Sequence, residues 1–186
     1  MTTIYFVRHA EAPFIDGKER SRGLSAEGSH AAVRVKELLL GEGIDAILAS
    51  PYQRAKDTVQ PLADALGLPI AEQEDLRERK VGDFQGHSFL EAKKILFQDP
   101  TTPFPGGESS KIAQSRAVQV LEEILNTHIG KRVVIGTHGD IMTLMLRHYD
   151  QRFDYLFWQG TTLPDIYRVE FEEGRLVNIA RLWSEQ

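Results

Sequence analysis

Two apolar runs of strand length each end in a histidine: Ile4-Tyr5-Phe6-Val7 leads into Arg8-His9-Ala10, and Val133-Val134-Ile135-Gly136 leads into Thr137-His138-Gly139. A third run, residues 46–49, ends at Ser50-Pro51 and places Arg54 in the first turn of the helix expected to follow. Free backbone N–H groups and the positive end of the helix dipole favour anions there. In open α/β sheets the carboxyl ends of the strands border the ligand crevice, so all three runs can serve one site. A neutral imidazole is a nucleophile near neutral pH, and a guanidinium fork binds two oxygens of an oxyanion at once. Two histidines and two arginines therefore suit a tetrahedral dianion such as a phosphoryl group.

The elements that position these residues follow from the hydrophobic pattern. Strand-length apolar runs alternate with longer segments of helical period, which predicts a three-layer α/β/α sandwich around a mostly parallel sheet. Residues 3–7, 46–49 and 132–136 read as strands, and 70–72 as an edge strand. Ser25 caps a helix reaching about Leu40, and Ser50-Pro51 supplies an N-cap and a first-turn proline for a helix that Gly67 stops. Further helices are expected over 88–97, 111–128 and 140–149, and strands 166–171 and 176–182 form an antiparallel hairpin at the C-terminal edge. Residues 77–110, rich in glycine and proline, are the least regular stretch and are expected to form a specificity loop or lid.

Composition narrows the setting. With 186 residues and 41% hydrophobic content, the expectation is a single domain over 1–186 with one sizeable core. The absence of cysteine excludes disulfides, a thiolate nucleophile and cysteine-ligated metals, and makes the cytoplasm the default location. No apolar stretch approaches bilayer length and no signal-peptide pattern opens the chain, so neither membrane insertion nor secretion is expected. A formal net charge of −5 argues against nucleic acid as a partner, because such binding gains its affinity from clustered Lys and Arg. No His-Glu-x-x-His pair or comparable ligand spacing calls for a metal.

Val7-Arg8-His9-Ala10-Glu11 resembles the Arg-His-Gly signature of the histidine phosphatase superfamily, in the branch that holds cofactor-dependent phosphoglycerate mutases and broad-specificity phosphatases. Further elements match in chain order: Leu24-Ser25-Ala26-Glu27-Gly28, Ser50-Pro51-Tyr52-Gln53-Arg54-Ala55-Lys56-Asp57-Thr58, Leu76-Arg77-Glu78, Pro105-Gly106-Gly107-Glu108-Ser109 and Thr137-His138-Gly139-Asp140. Six ordered elements are far more specific than one tripeptide. The resemblance implies a phosphatase in which His9 becomes transiently phosphorylated. Arg8, Arg54 and His138 would grip the phosphoryl oxygens, and Glu78 would act as general acid. It further implies no metal or cofactor, and a small phosphorylated metabolite as the partner of a monomer or homodimer.

Two other readings stand beside it, a phosphoglycerate mutase and a non-catalytic phospholigand-binding module. Ala12-Pro13-Phe14-Ile15-Asp16 lacks the Ser-x-x-Asn that mutases carry, and the stretch between Glu78 and Gly106 is short for their insertion, which favours hydrolysis. Ala10 departs from the family glycine, a change that matters if the backbone there needs glycine's freedom. Taken alone, Glu78 also reads as an ion-pair partner in the charged run Glu74 to Lys80. Glu108-Ser109 reads as a helix cap. Phe84, Phe89, Phe97, Phe104 and Trp158 read as core more readily than as pocket. His30, His87, His128 and His148 match no catalytic element.

Overall fold

The computed structural model describes residues 1–185. Its six strands are β1 (Thr2–Arg8), β2 (Ala46–Ala49), β3 (Ile70–Glu72), β4 (Arg132–Thr137), β5 (Asp165–Glu172) and β6 (Arg175–Arg181), in sheet order β3-β2-β4-β1-β5-β6. β1, β2, β3 and β4 pair in parallel, whereas β5 and β6 run antiparallel on the β1 side. The turn between β5 and β6 holds Glu173 and Gly174 at φ 49° and 74°, the left-handed pair that a tight hairpin requires.

The sheet is covered on both faces because its central strands are unbroken apolar runs whose successive side chains point to opposite faces. Ile4, Phe6, Val133 and Ile135 point to one face, against α4 (Ser110–Thr127), α5 (Gly139–Tyr149) and the short α6 (Tyr155–Gln159). Tyr5, Val7, Ile47 and Val134 point to the other, against α1 (Ala26–Leu39) and α2 (Gln53–Leu66). This is the three-layer arrangement that the pattern predicts. Ser25 caps α1 by accepting from the Gly28 N–H at 3.0 Å, and Gly67 closes α2 in the left-handed conformation at φ 65°. Ser109 caps α4 by accepting from Ile112 N–H at 3.2 Å, while Glu108 pairs with Arg116 at 2.7 Å.

Two details differ from the sequence reading. The helix after β2 begins at Gln53 rather than at Pro51, its cap residue Tyr52 makes no side-chain cap bond, and Ser50 Oγ accepts from Tyr52 N–H at 3.2 Å ahead of the helix instead of capping it. α6 was not expected; five residues are too few for a helical period to register, although Asp154 caps it by accepting from Leu156 and Phe157 N–H.

Residues 77–110 carry α3 (Phe89–Gln98), whose Ala92 and Leu96 pack with Phe104 in a small separate cluster. The two ends of this stretch cross at a narrow neck. Asp83 N–H donates to the Pro105 carbonyl at 2.9 Å and Glu108 N–H to the Lys80 carbonyl at 2.8 Å. The crossing exists because Gly82 and Gly107 lack side chains: a Cβ on Gly107 would lie 2.1 Å from the Val81 carbonyl oxygen, and Gly82 also sits at φ +87°. Gly107→Ala is therefore expected to cost about 1–3 kcal/mol of stability, since backbone on both sides must shift. A urea midpoint equal to that of the native chain would contradict this packing.

Candidate active site

β2, β4 and β1 are adjacent, so their carboxyl ends converge. The ladder continues one residue past the strands: His9 N–H donates to the Thr137 carbonyl and Ser50 N–H to the Gly136 carbonyl, both at 2.9 Å. Arg8, His9, Ser50 and His138 are thereby held by backbone on a common rim, with Arg54 one turn into α2.

His9 is buried, and its Nδ1 lies 2.7 Å from the Ala10 carbonyl oxygen. A carbonyl only accepts, so Nδ1 carries the proton and Nε2 keeps its lone pair. Arg54 Nε–H donates to that Nε2 at 3.2 Å. Burial first, and then the positive charge of Arg54, hold the His9 pKa well below the ordinary 6.5, which keeps the ring neutral. Ala10 is buried with a negative φ, and its N–H donates to Thr58 Oγ1 at 2.9 Å. Alanine thus takes the place of the family glycine without a left-handed backbone. Thr58 in turn donates to the Arg54 carbonyl at 2.7 Å, tying the loop after β1 to the helix that carries Arg54.

Arg54 is only 1% exposed. Its Nη1 donates to the Glu19 carbonyl at 2.7 Å and its Nη2 to Glu19 Oε1 at 2.6 Å. Arg8 donates from Nη1 to Thr161 Oγ1 at 2.6 Å, and its buried Nε has no protein partner. Gly139 makes room for this guanidinium, since a Cβ there would lie 3.0 Å from Arg8 Cζ. His138 is fully buried with its ring centroid 5.2 Å from that of His9. Its Nε2 lies 2.7 Å from Ser50 Oγ, which is where the hydroxyl expected to cap α2 goes, and its Nδ1 is without a partner. Burial, then Arg54 and His9, lower the His138 pKa well below 6.5.

Glu78 meets the N-terminus of α5. Its Oε1 accepts from Arg79 N–H at 2.8 Å and Ile141 N–H at 3.0 Å, and its Oε2 accepts from Asp140 N–H at 3.1 Å. Burial and the neighbouring Asp140 carboxylate raise the Glu78 pKa above 4.5, against the opposing pull of Lys93 and these N–H groups. Asp140 is fully buried; burial works to protonate it, but Lys93 and Arg79 hold its pKa below 3.8. Arg79 Nε donates to Asp140 Oδ2 at 3.0 Å, and Lys93 Nζ pairs with the same oxygen.

Arg8, His9, Arg54 and Glu78 all line one cavity of about 980 Å³, while His138 stands behind its wall, with its ring centroid 5.2 Å from those of the lining residues His9 and Tyr52. The sequence reading missed Arg22, which lines the same cavity with its side chain 11% exposed. Its Nη1 donates to the Ala12 carbonyl and its Nε lies 3.5 Å from Glu19 Oε2. Nothing in Lys18-Glu19-Arg20-Ser21-Arg22 marks the last arginine apart from its solvated neighbours; the nearest signal is its place two residues before the Leu24-Ser25 element. Of the five aromatic residues read as core in the sequence, Phe84, Phe89 and Trp158 reach the cavity, whereas Phe97 and Phe104 do not. His30, His87, His128 and His148 lie away from it.

A fixed nucleophilic nitrogen beside three guanidinium groups and a carboxyl of raised pKa can bind a phosphoryl group, accept it and protonate what leaves. Comparison with known proteins agrees with that chemistry. The chain is 34% identical over 154 residues to phosphoglycerate mutase-like protein 4 of Arabidopsis thaliana, covering 75% of this chain and 67% of that one. It is also 34% identical over 158 residues to a metal-independent phosphoserine phosphatase of the same plant, covering 76% and 66%. Among solved structures, Bacillus stearothermophilus YhfR superposes with a TM-score of 0.77 at 26% identity, covering 98% of this chain and 96% of that one. The model of the histidine phosphatase superfamily (branch 1) matches residues 4–183, and the chain belongs to that family.

Proposed function

We propose that this chain hydrolyses phosphomonoesters without a metal ion, through a phosphohistidine formed at Nε2 of His9. The observation that carries this reading is the Nδ1 contact to the Ala10 carbonyl, which leaves Nε2 unprotonated in the cationic cavity. Nε2 attacks phosphorus, the P–O bond to the ester oxygen breaks, and Glu78 gives its proton to the departing oxygen, releasing an alcohol. Glu78, now a carboxylate, takes a proton from water as that water attacks the phosphohistidine. Inorganic phosphate leaves, and both side chains return to their starting state. Arg8, Arg22 and Arg54 neutralise the phosphoryl oxygens throughout, and His138, through its unpartnered Nδ1, is the group to help them as the phosphoryl settles on His9.

Kinship with a metal-independent phosphoserine phosphatase supports hydrolysis. The missing Ser-x-x-Asn after His9 disfavours a mutase, which must hold a bisphosphorylated intermediate away from water. The same reading makes the whole chain one catalytic domain, with residues 77–110 as its specificity region. It places the protein in the cytoplasm, where a cysteine-free chain has no need of an oxidising compartment. Among the described residues no helix is long and apolar enough to cross a membrane.

The test is release of inorganic phosphate from a panel of phosphomonoesters in the presence of a chelator. Interconversion of phosphoglycerates without phosphate release, or loss of turnover in the chelator, would count against hydrolysis as proposed. The pH profile is a second check. The active form needs neutral His9 and protonated Glu78. A lowered His9 pKa keeps the first condition satisfied into acid, and a raised Glu78 pKa keeps the second satisfied above the usual carboxyl range. Activity is therefore expected to be highest at mildly acidic pH and to fall as Glu78 loses its proton. A kcat that rises steadily into alkaline solution would refute the assignment of Glu78 as acid.

A further inference from the structure

The cavity is larger and more apolar than a phosphoryl group needs. Its volume of about 980 Å³ sits at the top of the ~300–1,000 Å³ range of small-molecule sites. Beyond the phosphate-facing side chains, its wall carries a continuous aromatic strip. The Phe84 and Phe89 ring centroids are 6.0 Å apart, as are those of Phe89 and Trp158. Phe89 is 51% exposed although it lines a concavity, and Phe14 and Leu163, which line it too, are 75% and 43% exposed. Exposed apolar groups that line a concavity mark a ligand seat, because covering them is what removes them from water.

The charges point the same way. Lys93 lies with Nζ 5.2 Å from the Phe89 centroid and 5.4 Å from that of Trp158, and it is already paired with Asp140. Arg79 is occupied by Asp140 and by Ser110 Oγ. Both cations are buried and aimed at Asp140, 3% exposed for Arg79 and 4% for Lys93, so neither offers its charge openly to a substrate carboxylate. Lys80 is the remaining cation of the wall, and it shares that wall with the carboxylates of Asp16, Glu19 and Asp83. Once Glu78 carries its proton, six cationic side chains face four carboxylates, and the excess of two is what a phosphoryl dianion neutralises. A second anionic group on the substrate would find no counter-charge.

Resting on the hydrolytic reading above, we propose that the preferred substrates are monoesters whose alcohol bears an uncharged, planar apolar body that lies on Phe84, Phe89 and the edge of Trp158. Small acidic esters such as phosphoserine or 3-phosphoglycerate are poor substrates by the same geometry.

The test compares kcat/KM for phosphate release from 2-phenylethyl phosphate, ethyl phosphate, phosphoserine and 3-phosphoglycerate. All four are alkyl esters whose departing oxygen needs the same proton from Glu78, so the comparison reports seating of the organic body rather than leaving-group reactivity. 2-Phenylethyl phosphate is expected to exceed each of the others by about tenfold or more, the scale of discrimination an apolar pocket provides. In Phe89→Ala the ratio of 2-phenylethyl to ethyl phosphate should fall by about tenfold, chiefly through KM. Equal or better turnover of either acidic ester overturns the proposal, as does a Phe89→Ala ratio that does not change. Calorimetric binding of 2-phenylethyl phosphate to native protein and to Phe89→Ala separates the two levels. Tight, Phe89-dependent binding without release of phosphate from any ester would refute hydrolysis but keep the aromatic seat, and failure to bind would refute the seat.

Discussion

In His9→Ala, kcat for every phosphomonoester is expected to fall by about 10⁴-fold or more, because loss of the nucleophile leaves only binding and electrostatic assistance. Phosphate binding should persist in the variant. Arg8 keeps its bond to Thr161 and Arg54 keeps two of its three contacts, those to Glu19, so the cationic wall survives removal of the ring. Mass spectrometry of rapidly quenched native enzyme should find an acid-labile phosphoryl group on His9 and none on His138, whose Nε2 is engaged by Ser50 and which lies outside the cavity wall. Unchanged turnover in His9→Ala, or a labelled histidine elsewhere, would dismantle the covalent mechanism.

Glu78→Gln is expected to lower kcat by about 10²–10⁴-fold for alkyl esters, the usual contribution of a positioned proton donor. The loss should be smaller for p-nitrophenyl phosphate, whose phenolate departs without a proton. The alkaline fall in rate should vanish with the titrating group. A glutamine amide can still accept from Arg79 and Ile141 N–H through its oxygen, but its NH₂ then faces the Asp140 N–H that Oε2 now serves. Two donors in contact leave that N–H unsatisfied, at a cost of about 1–3 kcal/mol in stability. Equal losses for alkyl and p-nitrophenyl esters would mean that Glu78 shapes the pocket without moving a proton.

The sheet and the strand-end residues were legible because their signals are local. Short unbroken apolar runs in β1 and β4, each leading straight into a histidine, identify both the elements and the end that carries chemistry. Arg54 follows from its distance past β2, and Ala10 from its place in the first motif. What escaped notice depends on contacts between residues far apart in the chain. Ser50 reads as a cap until His138, 88 positions away, is seen against its hydroxyl. Arg79 lies in a run of charges that looks fully solvated, yet it is 3% exposed because Asp140, 61 positions on, is buried against it. Arg22 and Thr161 likewise have no local pattern; each matters only through what the folded chain brings beside it.

The glycine crossing at residues 82 and 107 separates two kinds of change that evolution can make. Everything that holds the phosphoryl group, Glu78 on the near side of the neck included, lies outside the enclosed segment, and most of the aromatic seat lies within it or against it. Residues 84–104, apart from Lys93 with its buried tie to Asp140, therefore form an exchangeable cassette: shortened, lengthened or rewritten around that lysine, they would retune which alcohol is accepted while the hydrolytic machinery beneath stays in register.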